Sequence, residues 1–127
     1  MYHEEWELIL ADLLLLPTER PILIEGAALL PEIVAPMLNQ QQRGIWMVPT
    51  PAFQRQYYRQ RGWPLEVVAG CTEPAQAFAN WMERDIGFAT YVTMMAHRTH
   101  VPLFSVDGSL PLEASIRWAQ VALALLP

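Results

Sequence analysis

Gly44-Ile45-Trp46-Met47-Val48-Pro49-Thr50-Pro51 is the stretch on which the fold turns. Gly44 to Val48 make a short apolar run of the kind that forms a strand buried in a parallel sheet, and Pro49-Thr50-Pro51 ends it. Thr50 suits a helix N-cap and Pro51 a first helical position. A helix is therefore predicted straight after the strand, over Pro51 to Arg61. Its residues Gln54, Arg55, Gln56, Arg59, Gln60 and Arg61 make it too polar for a core helix.

Upstream, Pro21 introduces Ile22-Leu23-Ile24, a β-branched apolar run stopped by Glu25-Gly26, which reads as another buried parallel strand. Before it, Trp6, Leu10, Leu13 and Leu14 share a helical stripe that ends at Pro17. Between the two strands, Leu29, Leu30, Ile33, Val34, Met37 and Leu38 recur at helical spacing, and Pro36 should kink or end that helix early. A polar linker, Asn39 to Arg43, follows. Downstream, Gly62, Pro64 and Gly70 mark irregular chain, and Thr72 and Pro74 open the longest helix, to His97 or Arg98, with a stripe of Phe78, Met82, Asp85, Ala89 and Val92. A third apolar run, Val101 to Val106, ends at Asp107-Gly108-Ser109, and a final helix runs from about Pro111 to Leu126. Strands alternating with helices predict a three-layer α/β/α domain with a mostly parallel sheet of three strands, few for such a sheet. The core is incomplete on this reading.

The 127 residues make one domain, 53% hydrophobic and 17% charged, with mean hydropathy +0.15. That composition buries a core and is not that of a disordered chain. Thirteen acidic residues against eight basic ones give −5, and all eight are arginine, since the sequence has no lysine. A lysine-dependent phosphate loop and a Schiff-base enzyme are both excluded within this sequence, and the net charge argues against nucleic-acid binding. The lone Cys71 excludes an internal disulfide and suits a reducing compartment, with cytoplasmic as the expectation. Leu8 to Leu16, interrupted by Asp12, falls short of the ~20 residues of a membrane span, and Met1 to Glu7 carries glutamates where a targeting signal carries arginine. No membrane association is expected.

In open parallel sheets ligands sit beyond the carboxyl ends of the strands. The residues there are Glu25, Pro49-Thr50 and Asp107-Gly108-Ser109. Glu25 is either a solvated loop acid or a carboxylate that holds a metal-bound water or a substrate hydroxyl. Asp107-Gly108 is either an ordinary turn or part of a site, and Ser109 can simply cap the last helix. Arg55 and Arg59 lie i,i+4 on one helix face, where like charges repel unless an anion or local glutamates meet them. Tyr57, Tyr58 and Trp63 stand nearby, and the segment from 51 to 70 reads as a mobile phosphate clamp or a solvated basic face. Asp85 lies in an apolar stripe and needs a partner, which Arg84 can supply within the domain or within a site. His97 and His100 straddle a helix end without further ligands, so no metal site is expected from them.

Taken in order, Ile22-Leu23-Ile24-Glu25-Gly26, Ile45-Trp46-Met47-Val48-Pro49-Thr50, Gln54 to Arg61, Arg84-Asp85 and Leu103-Phe104-Ser105-Val106-Asp107-Gly108 resemble the C-terminal part of P-loop kinases of the nucleoside, nucleotide and shikimate kinase type. The resemblance spans nearly the whole chain and rests on order more than on any one motif. It implies that Glu25 is the acid near magnesium and the acceptor. It further implies that Arg55, Arg59 and Arg61 are lid arginines, that Arg84 is the arginine after the lid, and that Asp107, Gly108 and Ser109 lie near the base of ATP. ATP and Mg2+ are cofactors by this resemblance only. The family's first strand and its G-x-x-x-x-G-K-S/T loop are absent, which leaves a gap in mid-sheet and suggests a fragment, a late-start product or half of an assembly. The expectation is a kinase-like domain that is inactive alone and binds a nucleotide or other phosphorylated small molecule. The alternative is a non-catalytic, oligomerising interaction module with an anion-binding arginine face. A homodimer is expected on either reading.

Overall fold

The computed structural model describes residues 2–39 and 41–125. Helices α1 (Tyr2–Leu14), α2 (Pro31–Val34), α3 (Pro51–Gln60), α4 (Gly62–Val68), α5 (Pro74–Thr99) and α6 (Leu112–Ala122) accompany strands β1 (Trp46–Pro49) and β2 (Leu103–Val106). A 3-10 turn over Ala35–Met37 extends α2, so the helix expected over 29–38 breaks where Pro36 stands. β1 and β2 pair in parallel, Trp46 opposite Leu103 and Pro49 opposite Val106. The chain is thus a mixed helix and strand protein with a two-stranded parallel sheet.

The expected third strand, Ile22 to Ile24, is not formed. Its residues lie in coil, exposed, and none of 17–25 joins a backbone hydrogen bond among the described residues. A short run between Pro21 and Gly26 has no ladder of its own and needs a neighbouring strand to hold it. Glu25 consequently closes no strand. The segment expected to be irregular after Gly62 is instead α4, with Pro64 buried in its first turns. α6 stops at Ala122, short of the expected Leu126, which lies outside the described residues.

Thr50 caps α3 as its sequence suggests, with Oγ1 accepting from the Phe53 amide at 3.3 Å and Pro51 in the first turn. α5 ends at His100, whose left-handed φ of 56° lets the chain turn and the Val101 amide reach back to the Ala96 carbonyl at 3.1 Å. The core has two parts. Leu30, Ile33, Trp46, Val48 and Val92 bury together where α2, α5 and the sheet meet. Val68, Phe78 and Met82 bury between α4 and α5, with Tyr58, Ala77 and Trp81 packed around them. On the other side of the sheet Phe104 stacks 4.8 Å from Trp118 of α6.

The α5 stripe is buried at Phe78, Met82, Val92 and Ala96, while Ala89 and Asp85 are only half-buried. Tyr91 ties α5 to α2 by donating to Glu32 Oε1 at 2.5 Å. That hydrogen bond to the Glu32 carboxylate, aided by burial, raises the phenol above its usual 10.0. One polar side chain of α3 does enter the core, contrary to the expectation for that helix. Gln54 is 2% exposed, its Nε2 3.9 Å from the Met82 sulfur and its Oε1 unpartnered. Met82→Ala removes the side chain that fills this junction, and urea denaturation should show a loss of about 2–5 kcal/mol.

Candidate functional site

The parallel register brings the carboxyl ends of β1 and β2 together, and the Thr50 amide extends the ladder by donating to the Val106 carbonyl at 2.9 Å. The first turn of α3 and the Asp107-Gly108-Ser109 turn therefore stand side by side. Asp107 Oδ1 accepts from the Ser109 amide at 2.8 Å and from its hydroxyl at 2.6 Å. These two donors hold the Asp107 carboxyl below its ordinary 3.8. Gly108 has φ +83°, and a Cβ there would meet the Phe53 ring at 3.0 Å. Phe53 in turn stacks on Tyr57 with ring centroids 4.1 Å apart. The turn and α3 are thus locked in contact, a link that the sequence gives no means of finding.

Below this junction a cleft of about 180 Å3 opens between the sheet and α5, lined by Val48, Pro49, Thr50, Ile86, Thr90 and Ser105, among others. The Thr90 and Thr93 hydroxyls are spent on the Ile86 and Ala89 carbonyls at 2.9 and 2.8 Å. Pockets for drug-sized ligands run from about 300 to 1,000 Å3, so the cleft is smaller than a drug-sized ligand needs.

The arginines take separate positions. Arg55 pairs with Glu83 of α5 at 2.5 Å, with both side chains well exposed. Arg61 lies over the Tyr58 ring, 5.9 Å from its centroid. Arg59 is exposed in the last turn of α3 and has no ion pair or hydrogen bond among the described residues. Arg84 pairs with its neighbour Asp85, Nη2 to Oδ1 at 2.8 Å, which gives the half-buried carboxylate its counter-charge within α5. Within the segment from 51 to 70, α3 and α4 pack against α5. Tyr58, Trp63 and Trp81 form a triangle of rings with centroids 5.7 to 6.1 Å apart, joining α3, α4 and α5. Five tryptophans in 127 residues were the available signal for it.

Glu25 lies in exposed coil, with no hydrogen bond or ion pair to the arginines or to Asp107 among the described residues. Nor do three His, Cys, Asp or Glu side chains stand close enough among the described residues to hold a metal ion. Among the same residues no helix is long and apolar enough to cross a membrane.

Comparison with protein-family models, with curated proteins and with solved structures finds no match.

Two substitutions test the strand-end turn. Ser109→Ala should return the Asp107 carboxyl towards its ordinary value, read by NMR titration of that carboxyl. With a lowered folded pKa, the stabilisation tied to the Asp107 carboxylate is present above the unfolded value and is lost as pH falls through the folded one; the variant, which keeps the backbone amide donor, should show a smaller acid-side loss. Gly108→Ala combines a left-handed backbone with a clash against Phe53. A loss of about 1–3 kcal/mol is expected in denaturant unfolding.

Proposed function

We propose that the chain is a kinase-like α/β/α domain without a phosphate-cradling loop, which binds the phosphate of a nucleotide or other phosphorylated small molecule at the carboxyl ends of β1 and β2. The observation that carries this reading is the junction of the two parallel strand ends with α3, whose Arg55 and Arg59 stand in solvent with only one acidic partner between them. Guanidinium groups bind phosphate in bidentate fashion, and a crevice beyond parallel strand ends is where α/β sheets hold ligands. In this reading Arg55, one turn along α3 from the strand ends, exchanges Glu83 for the ligand. The Asp107 turn borders the ligand's far side.

Phosphoryl transfer by this sequence alone is not part of the proposal. The missing lysine and backbone cradle remove transition-state stabilisation on the order of several kcal/mol. Glu25 lies in exposed coil, and no cluster of three carboxylate, histidine or cysteine side chains forms among the described residues. No step is derived through a magnesium ion. A second reading, a non-catalytic module with an anion-binding arginine face, is favoured by the 180 Å3 cleft, which is smaller than a nucleotide needs.

Tryptophan fluorescence of the 127-residue chain, titrated with magnesium-ATP and separately with inorganic phosphate, tests both. Saturable binding of ATP at micromolar to millimolar concentration, tighter than phosphate, supports the nucleotide reading. Equal or better binding of phosphate supports the anion module. Arg55→Ala/Arg59→Ala should weaken either by at least about tenfold, or about 1.4 kcal/mol. No response to either ligand up to ~10 mM, weaker than about −2.7 kcal/mol, overturns both readings.

A further inference from the structure

A folded chain of 14.5 kDa closes into about 6,900 Å2 of accessible surface, whereas this one exposes 9390 Å2. The surplus of about 2,500 Å2 is three times the roughly 800 Å2 that each partner loses in a standard interface, and matches the larger obligate homodimers. The surplus is apolar where the chain between α1 and α2 crosses the surface. Leu15 and Leu23 are each 84% exposed there, and Ile22 and Ile24 flank Leu23. A shallow groove of about 440 Å3, lined by Leu16, Pro17 and Ile22 among others, opens in the same segment.

The sheet has a matching deficiency. The Trp46 amide donates to the Pro102 carbonyl and the Thr50 amide to the Val106 carbonyl, both at 2.9 Å. Alternate residues of β1 therefore face β2, and Met47 between them turns its amide and carbonyl to the open side. Met47 is itself 49% exposed. An unpaired strand edge is a template for strand addition, and the exposed Ile22-Leu23-Ile24 run is a strand-forming segment without a partner.

We propose that the segment Pro21–Glu25 of one chain adds as a strand to the Met47 edge of β1 in a second copy, and reciprocally, making a two-fold homodimer. Each chain carries both halves of the contact, the strand-forming run and the unpaired edge, so a two-fold pairing can satisfy both at once. Charge favours the contact as well. Residues 45–48 carry none and 21–25 only Glu25, so the net −5 of each chain is kept out of the seam.

Sedimentation equilibrium of the whole chain, with amide exchange at Met47, tests this. The expected result is twice the 14.5 kDa chain mass at micromolar concentration, with slow exchange of the Met47 amide. Leu23→Pro removes a strand donor at a position that makes no backbone hydrogen bond within the chain, and should give a monomer of unchanged circular dichroism in which the Met47 amide exchanges at least tenfold faster. Leu23→Asp, a charge on a side chain already in solvent, should do the same and decides the matter where the proline variant does not fold. A chain that stays monomeric at submillimolar concentration overturns the proposal. So does a dimer that survives in the folded variants, or a dimer lost with no change at Met47.

Discussion

The indole of Trp46 is the contact on which the rest of the structure depends. Its Nε1 donates to the Leu29 carbonyl at 2.7 Å, and its ring is buried with Leu30, Ile33, Val48 and Val92. One side chain thereby joins β1 to the turn before α2 and to α5. Gly44 stands where it does for the same reason, because a Cβ there would meet the indole at 2.9 Å. Two strands alone are too few to be stable in water. The long α5, laid across both, supplies the cover that further strands would otherwise provide.

The second cluster serves the arginines. Tyr58, Trp63 and Trp81 clamp α3 and α4 against α5, so Arg55 and Arg59 extend from a fixed helix, not from a loop. Fixing the helix lowers the entropy lost when an anion is gripped. The Arg55–Glu83 pair does not obstruct such a ligand, since an exposed ion pair is worth about 0–1 kcal/mol. An anion that displaced Glu83 from the guanidinium would therefore do so at small cost.

Local chemistry was legible in the sequence and long-range pairing was less so. Thr50-Pro51 announced the start of α3, Pro74 that of α5, and the apolar runs around Met47 and Phe104 announced the two strands that form. Each of these signals is contained within a few residues. Ile22-Leu23-Ile24 carries the same strand signal, yet within one chain it has no partner, and composition does not reveal whether a partner exists. α4 was hidden because Gly62 and Pro64 usually punctuate, although proline is well tolerated in a first helical turn. Of the site, the strand-end turn lies where the apolar runs place it. The packing of Phe53 under Gly108, the absence of a strand before Glu25 and the pairing of Arg84 with Asp85 depend on the folded geometry.

The partners in β1 and β2 are 57 residues apart, Trp46 opposite Leu103, with α3, α4 and α5 between them. Closing a loop of that length costs about 4 kcal/mol before the first ladder bond forms, and only four residue pairs are gained in return. Pairing is therefore favoured once the helices have collapsed on one another through the contacts of Tyr58, Phe78 and Met82 and hold the strand ends close. A chain in which the helices have closed and the sheet has not would present the unpaired backbone of both strands to every other chain in solution.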